Sequence, residues 1–100
     1  MKFKKATFFI QKKDHSFESR EGYFDEHSEF SFHKSANGWM ASDVATGAGI
    51  VWRKTRKACA EFIENNYTDI VNARESKSNI EARQRKEAFI EELERDKSSY

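Results

Sequence analysis

Proline is absent from this chain of 100 residues. Its turns must therefore be made by Gly, Asn, Asp and Ser, and no proline-rich linker divides it. Cysteine occurs once, at Cys59. That excludes an intrachain disulfide and suits a reducing compartment. No apolar run reaches the roughly 18 residues of a membrane-crossing helix. The lysine-rich N-terminus has too short an apolar stretch before Lys12 for a signal peptide, so a cytoplasmic protein with no membrane partner is the expectation. Charge of one sign is also missing: 18 Lys and Arg stand against 17 Asp and Glu, a net of +1. The chain as a whole therefore has no strong pull toward nucleic acid.

What is present is aromatic and charged. Nine Phe, two Trp and three Tyr give large side chains to a chain that is only 37% hydrophobic and 35% charged. Such aromatics bury much area each and argue against disorder. The length fits one domain, 1–100, burying roughly 60–65% of its unfolded surface.

Residues 2–12 alternate, with Ala6, Phe8 and Ile10 set against Thr7 and Phe9, and read as a strand. Lysines at both ends suit a sheet edge. Residues 13–28 have no clear period and are expected to form a long loop or a poorly formed hairpin. Residues 29–34 alternate cleanly, Asn37-Gly38 marks a hairpin, and 39–45 supplies the partner strand. Thr46-Gly47-Ala48-Gly49 turns into a short strand at 50–52. Thr55 is a good helix N-cap. Cys59, Phe62, Ile63, Asn66, Tyr67, Ile70 and Val71 then recur on one helical face, which predicts a helix over about 56–73. Ser78 and Glu81 form a capping box for a second helix over about 79–97. Its main large apolar residues are Ile80, Phe89, Ile90 and Leu93. Strands followed by helices predict an α+β fold: three or four antiparallel strands over about 2–53, with two helices on one face.

The stretch 39–63 carries a resemblance. Thr46-Gly47-Ala48-Gly49-Ile50, a strand, and Thr55 opening a helix with Ala58, Cys59 and Ala60 behind the cap are similar to the layout of many short bacteriophage and mobile-element proteins. The resemblance covers about a quarter of the chain. It implies a cytoplasmic sheet-plus-helix module, a phage accessory protein that inhibits a host complex such as a defence nuclease. It transfers no catalytic residue.

Chemistry-bearing residues are few. No Ser-His-Asp order, phosphate loop or paired-carboxylate setting is present, so a non-enzymatic protein without cofactor is the expectation. His27 and His33 lack any recognised ligand spacing, and no metal site is expected. Cys59 sits near cationic Arg56 and Lys57, which would lower a thiol pKa, but its place on the apolar face favours a core role.

Two surfaces remain. Phe17, Glu18, Glu21, Tyr23, Phe24, Asp25 and Glu26 form an acidic, aromatic segment. As a loop it could dock on a basic groove of a host protein and mask it. The alternative is nucleic acid. Arg53, Lys54, Arg56 and Lys57 cluster at a helix N-terminus, where backbone amides favour anions, with Lys2, Lys4 and Lys5 as candidate neighbours. Phe30, Phe32, Trp39 and Trp52 could stack bases, although a chain so short of other large apolar residues needs them as core. Monomer and homodimer are both compatible with the sequence.

Overall fold

In a computed structural model, which describes residues 1–98, five strands precede three helices. The strands are β1 (Phe3–Gln11), β2 (Phe17–Asp25), β3 (Phe30–Ser35), β4 (Gly38–Asp43) and β5 (Gly49–Arg53). They form one antiparallel sheet in the order β1-β2-β3-β4-β5, with β1 at one edge. The helices are α1 (Arg56–Asn65), α2 (Tyr67–Ala73) and α3 (Lys77–Ser98). The α+β class holds, with one strand more than the upper expectation.

That extra strand is β2, from the segment expected to be a long loop or a poorly formed hairpin. It pairs with β1 along its whole length, from Phe3 opposite Asp25 to Gln11 opposite Phe17. The connecting loop is shaped by Asp14, whose carboxylate accepts from the amide of Ser16 at 3.0 Å and from its hydroxyl at 2.6 Å. Neighbouring aromatics of β2 face opposite sides of the sheet. Tyr23 lies opposite Phe32, while Phe24 packs on Phe8. Apolar residues on both faces erase the period-two pattern.

β2 meets β3 over only two residue pairs, Tyr23 with Phe32 and Phe24 with Ser31. The cause is Gly22. A Cβ there would lie 2.1 Å from the Phe32 carbonyl oxygen, so only glycine permits this approach. Past Gly22 the β1–β2 ribbon leaves β3 and crosses the sheet face opposite α1, where α3 packs on it. Phe8 comes to lie against the His33 ring. The far end of the ribbon reaches the β4–β5 turn, where the Gln11 amide donates to the Gly47 carbonyl at 2.8 Å.

The β3–β4 hairpin falls where expected, but its two left-handed residues are Ala36 and Asn37 rather than Asn37 and Gly38. Gly38 is needed for space instead. The Trp52 ring covers it, leaving no room for a Cβ, and the indole donates to the Ser35 carbonyl at 2.8 Å.

The core lies between the sheet and α1. Phe30, Phe32, Ala41 and Val51 from the strands meet Cys59, Ala60 and Ile63. Thr55 caps α1 as its sequence implies, its hydroxyl accepting from the Ala58 amide at 3.0 Å. The expected helix over 56–73 is broken at Asn66. Its side-chain amide donates to the Phe62 carbonyl at 2.8 Å, a local bond that competes with the helical ladder.

The second helix begins earlier than expected and is capped differently. Ser76, not Ser78, is hydrogen-bonded by the amide and the side chain of Asn79, so the Ser78–Glu81 box is not the start signal. α3 packs on its own domain. Phe89 stacks on Phe17 with ring centres 4.6 Å apart and meets Phe9 edge-on at 4.9 Å. Arg85 donates to the Gln11 side chain at 2.7 Å, and the Lys86 amine donates to the Val44 carbonyl. No helix among the described residues is long and apolar enough to cross a membrane.

Candidate functional site

Where the ribbon parts from β3, a cleft of about 1160 Å³ opens beside the N-terminus of α1. Each wall follows from the local fold. β1 and β2 carry Phe3, Lys5, Glu21 and Tyr23 on the face turned toward the helices. The end of the β3–β4 hairpin presents Lys34 and Trp39, residues directly opposite each other in the register. α1 adds Arg56 and Lys57 from its first turn, which contains no acid. A second depression of about 460 Å³ adjoins it, sharing Lys34 and Trp39 and adding Lys54.

Charge in this region is one-sided. Lys5, Lys34, Lys54, Arg56 and Lys57 line the two depressions, and Glu21 is the one carboxylate. Among the described residues none of these five cations is ion-paired, whereas the N-terminal amine, Arg20 and Arg74 are. The first turn of α1 adds the positive end of the helix dipole.

Arg56 lies against the aromatic floor. Its guanidinium carbon is 4.2 Å from the ring centre of Phe3, 4.4 Å from that of Tyr23 and 5.8 Å from that of Trp39. Such contacts attract a cation to the ring faces and hold the side chain in place. Lys34 stands 6.0 Å from the Trp39 ring centre.

The basic cluster expected from sequence is therefore divided. Arg56 and Lys57 enter the cleft, and Lys54 enters the adjoining depression. Arg53 turns aside onto the Phe62 ring, 4.9 Å away. Lys5 joins them, whereas Lys2 and Lys4 do not line the cleft. Lys34 and Tyr23 were not expected to belong with this cluster. A turn centred on Asn37-Gly38 would set Ala36 opposite Trp39; Lys34 takes that place because the turn falls at Ala36-Asn37. Phe30 and Phe32 are core, at 2% and 0% exposure, and offer no stacking surface.

The acidic segment is distributed over both sheet faces rather than gathered on one surface. Phe17 lies under α3, Phe24 packs on Phe8, and Tyr23 faces the cleft. Asp25 is buried, accepting from the amides of Phe30 at 2.8 Å and His27 at 3.0 Å. Glu18 pairs with Arg20 at 2.6 Å, which lowers its pKa. Glu26 accepts from the Lys2 amide at 2.7 Å. Glu21 and Glu26 are exposed.

Cys59 is fully buried, with its thiol 3.4 Å from the Trp39 carbonyl oxygen. Burial raises its pKa, opposite to the direction a reactive thiol needs. Among the described residues no group of three His, Cys, Asp or Glu side chains could hold a metal ion.

Comparison with known protein families, with curated proteins and with solved structures finds no match for this chain. The geometry of the cleft must carry the functional reading by itself.

Proposed function

We propose that this protein is a non-enzymatic nucleic-acid-binding module whose working surface is the cleft at the start of α1. The observation that carries the reading is the set of five unpaired cations around an aromatic floor. An unpaired surface cation is free to exchange its counterions for phosphates, which is the main source of sequence-independent affinity. Aromatic rings beside a basic track are what single-stranded binders add to it.

Titration of labelled single- and double-stranded DNA and RNA at about 150 mM salt tests this, because distant surface charges are screened there. The expected result is a dissociation constant of roughly 1–100 µM that weakens with salt. Reversing two cleft cations, Lys5→Glu with Lys57→Glu, should abolish binding while the thermal transition is retained. Absence of binding by the wild-type chain would overturn the reading.

The second reading is a phage or mobile-element protein that masks a face of a host complex such as a defence nuclease. Glu21 and Glu26, which remain exposed, support an electrostatic contact of that kind. Capture of a partner from host lysate that is lost in Glu21→Lys with Glu26→Lys would support it. Capture that is indifferent to both changes would count against it.

A further inference from the structure

We propose, resting on the nucleic-acid reading above, that the cleft takes a single strand and that the Arg56 guanidinium is the platform on which one unpaired base stacks. The group is already held in place by Phe3 and Tyr23, at 4.2 and 4.4 Å, with Trp39 behind them. A free arginine loses rotamer freedom when it binds, whereas one immobilised by the fold has little left to lose. Nor does a carboxylate engage it, so its plane is not committed to an ion pair. Guanidinium planes and aromatic rings are the two surfaces on which proteins stack unpaired bases.

The neighbours fit the same ligand. Lys5, Lys34 and Lys57 line the cleft around Arg56. Lysine ammonium groups act as point charges on flexible stems, suited to phosphates on either side of a held base. A duplex has its base faces stacked inside and could offer this recess only phosphates. An unpaired base alone can bring a π face to Arg56. The stack is indifferent to the sugar, so single-stranded RNA and DNA share this chemistry.

The test uses the full chain and fluorescence anisotropy with four probes carrying equal numbers of phosphates per strand: oligo(dT), oligo(rU), an abasic phosphodiester and a DNA duplex. Oligo(dT) and oligo(rU) should bind roughly 10-fold or more tightly than the abasic strand, with the duplex near the abasic level. A gap between dT and rU would reveal whether a 2′-hydroxyl is sensed without changing the stacking assignment. Arg56→Lys keeps the charge and removes the plane. It should bring oligo(dT) down to the abasic level and leave abasic binding nearly unchanged, with a cooperative thermal transition as the check on folding. The wild-type comparison of probes needs no variant. Equal binding of base-bearing and abasic strands would overturn the stacking proposal while leaving nucleic-acid binding in place. A base preference that survives Arg56→Lys would also overturn it, and no binding of any probe would overturn the reading beneath it.

Discussion

His33 shows how one residue can set a pH dependence. It is 4% exposed, lies against the Phe8 ring, and its Nδ1 has no hydrogen-bond partner among the described residues. Burial lowers its pKa from the ordinary 6.5; the Arg20 charge lowers it further and Glu18 opposes. The folded protein therefore holds His33 neutral in a range where the unfolded chain has begun to take up a proton. The unfolded state binds more protons there, so stability rises with pH. The contribution is complete above about pH 6.5 and is lost as pH falls through that value toward the depressed folded pKa. The expected outcome is a melting temperature that falls between about pH 7 and pH 5, above the range where most carboxylates titrate. In His33→Gln, which cannot titrate, this slope should flatten. An unchanged slope in the variant would assign the effect to other groups. The alternation of residues 29–34 sets His33 on the opposite face from Phe30 and Phe32, which reads as a surface position; the side chain is buried instead. The alternation did not reveal that a second layer, the folded-back ribbon, covers that face.

At the level of elements, α3 depends on a short line of contacts. Ala82 is buried, and Arg85, Lys86 and Phe89 follow at helical spacing, each holding one point on the ribbon or on the β4–β5 turn. Phe89→Ala removes both ring contacts at once. A fully buried Phe→Ala costs about 3–5 kcal/mol, so a half-buried one should cost about 1–3 kcal/mol. Hydrogen exchange should show the amides of α3 losing protection before those of β3 and β4, whose core residues it does not touch. Uniform loss across the chain would mean that α3 and the sheet unfold as one unit. Elements were legible where local signals agreed. The β3–β4 hairpin, though its turn falls one residue earlier than Asn37-Gly38, the turn at Gly47 and the Thr55 cap are each fixed by neighbours in sequence. β2 was not legible because its partners are distant and its aromatics serve two faces. The break at Asn66 was hidden because an asparagine at core spacing looks like one more position on the helix face. The cleft inherits these difficulties, since its walls come from β1, β2, the β3–β4 hairpin and α1. Four cations of the cleft and its adjoining depression, Lys5, Lys54, Arg56 and Lys57, were visible as a basic theme, but their meeting with Tyr23 and Lys34 depends on the pairing of β2 with β1 and on the close passage of Gly22 over β3.

Over the whole molecule, the near-zero net charge hides a separation along α1. Its N-terminal end carries the basic cleft. Near its C-terminal end lies a depression of about 560 Å³ lined by Asp25, Glu26, Glu29 and Glu64, an acidic excess only partly offset by the N-terminal amine on Glu64 and Arg74 on Glu29. A polyanion meets this molecule as a dipole rather than as a neutral body: it is drawn to one end and repelled at the other. Salt dependence separates the two descriptions. For a single strand, log K falls with log salt at a slope of about −0.7 per phosphate neutralised. If the four lysines of the cleft and its adjoining depression contact phosphates while Arg56 holds a base, the slope should be about −2.8, or roughly 50-fold weaker binding between 50 and 200 mM salt. If only the net charge of +1 mattered, the slope would lie near −0.7. Each single change among Lys5, Lys34, Lys54 and Lys57 to Gln should make the slope shallower by about 0.7, because each removes one contact from the same track. A wild-type slope near −0.7, unaltered by these changes, would mean that the cations do not lie on the path of the strand.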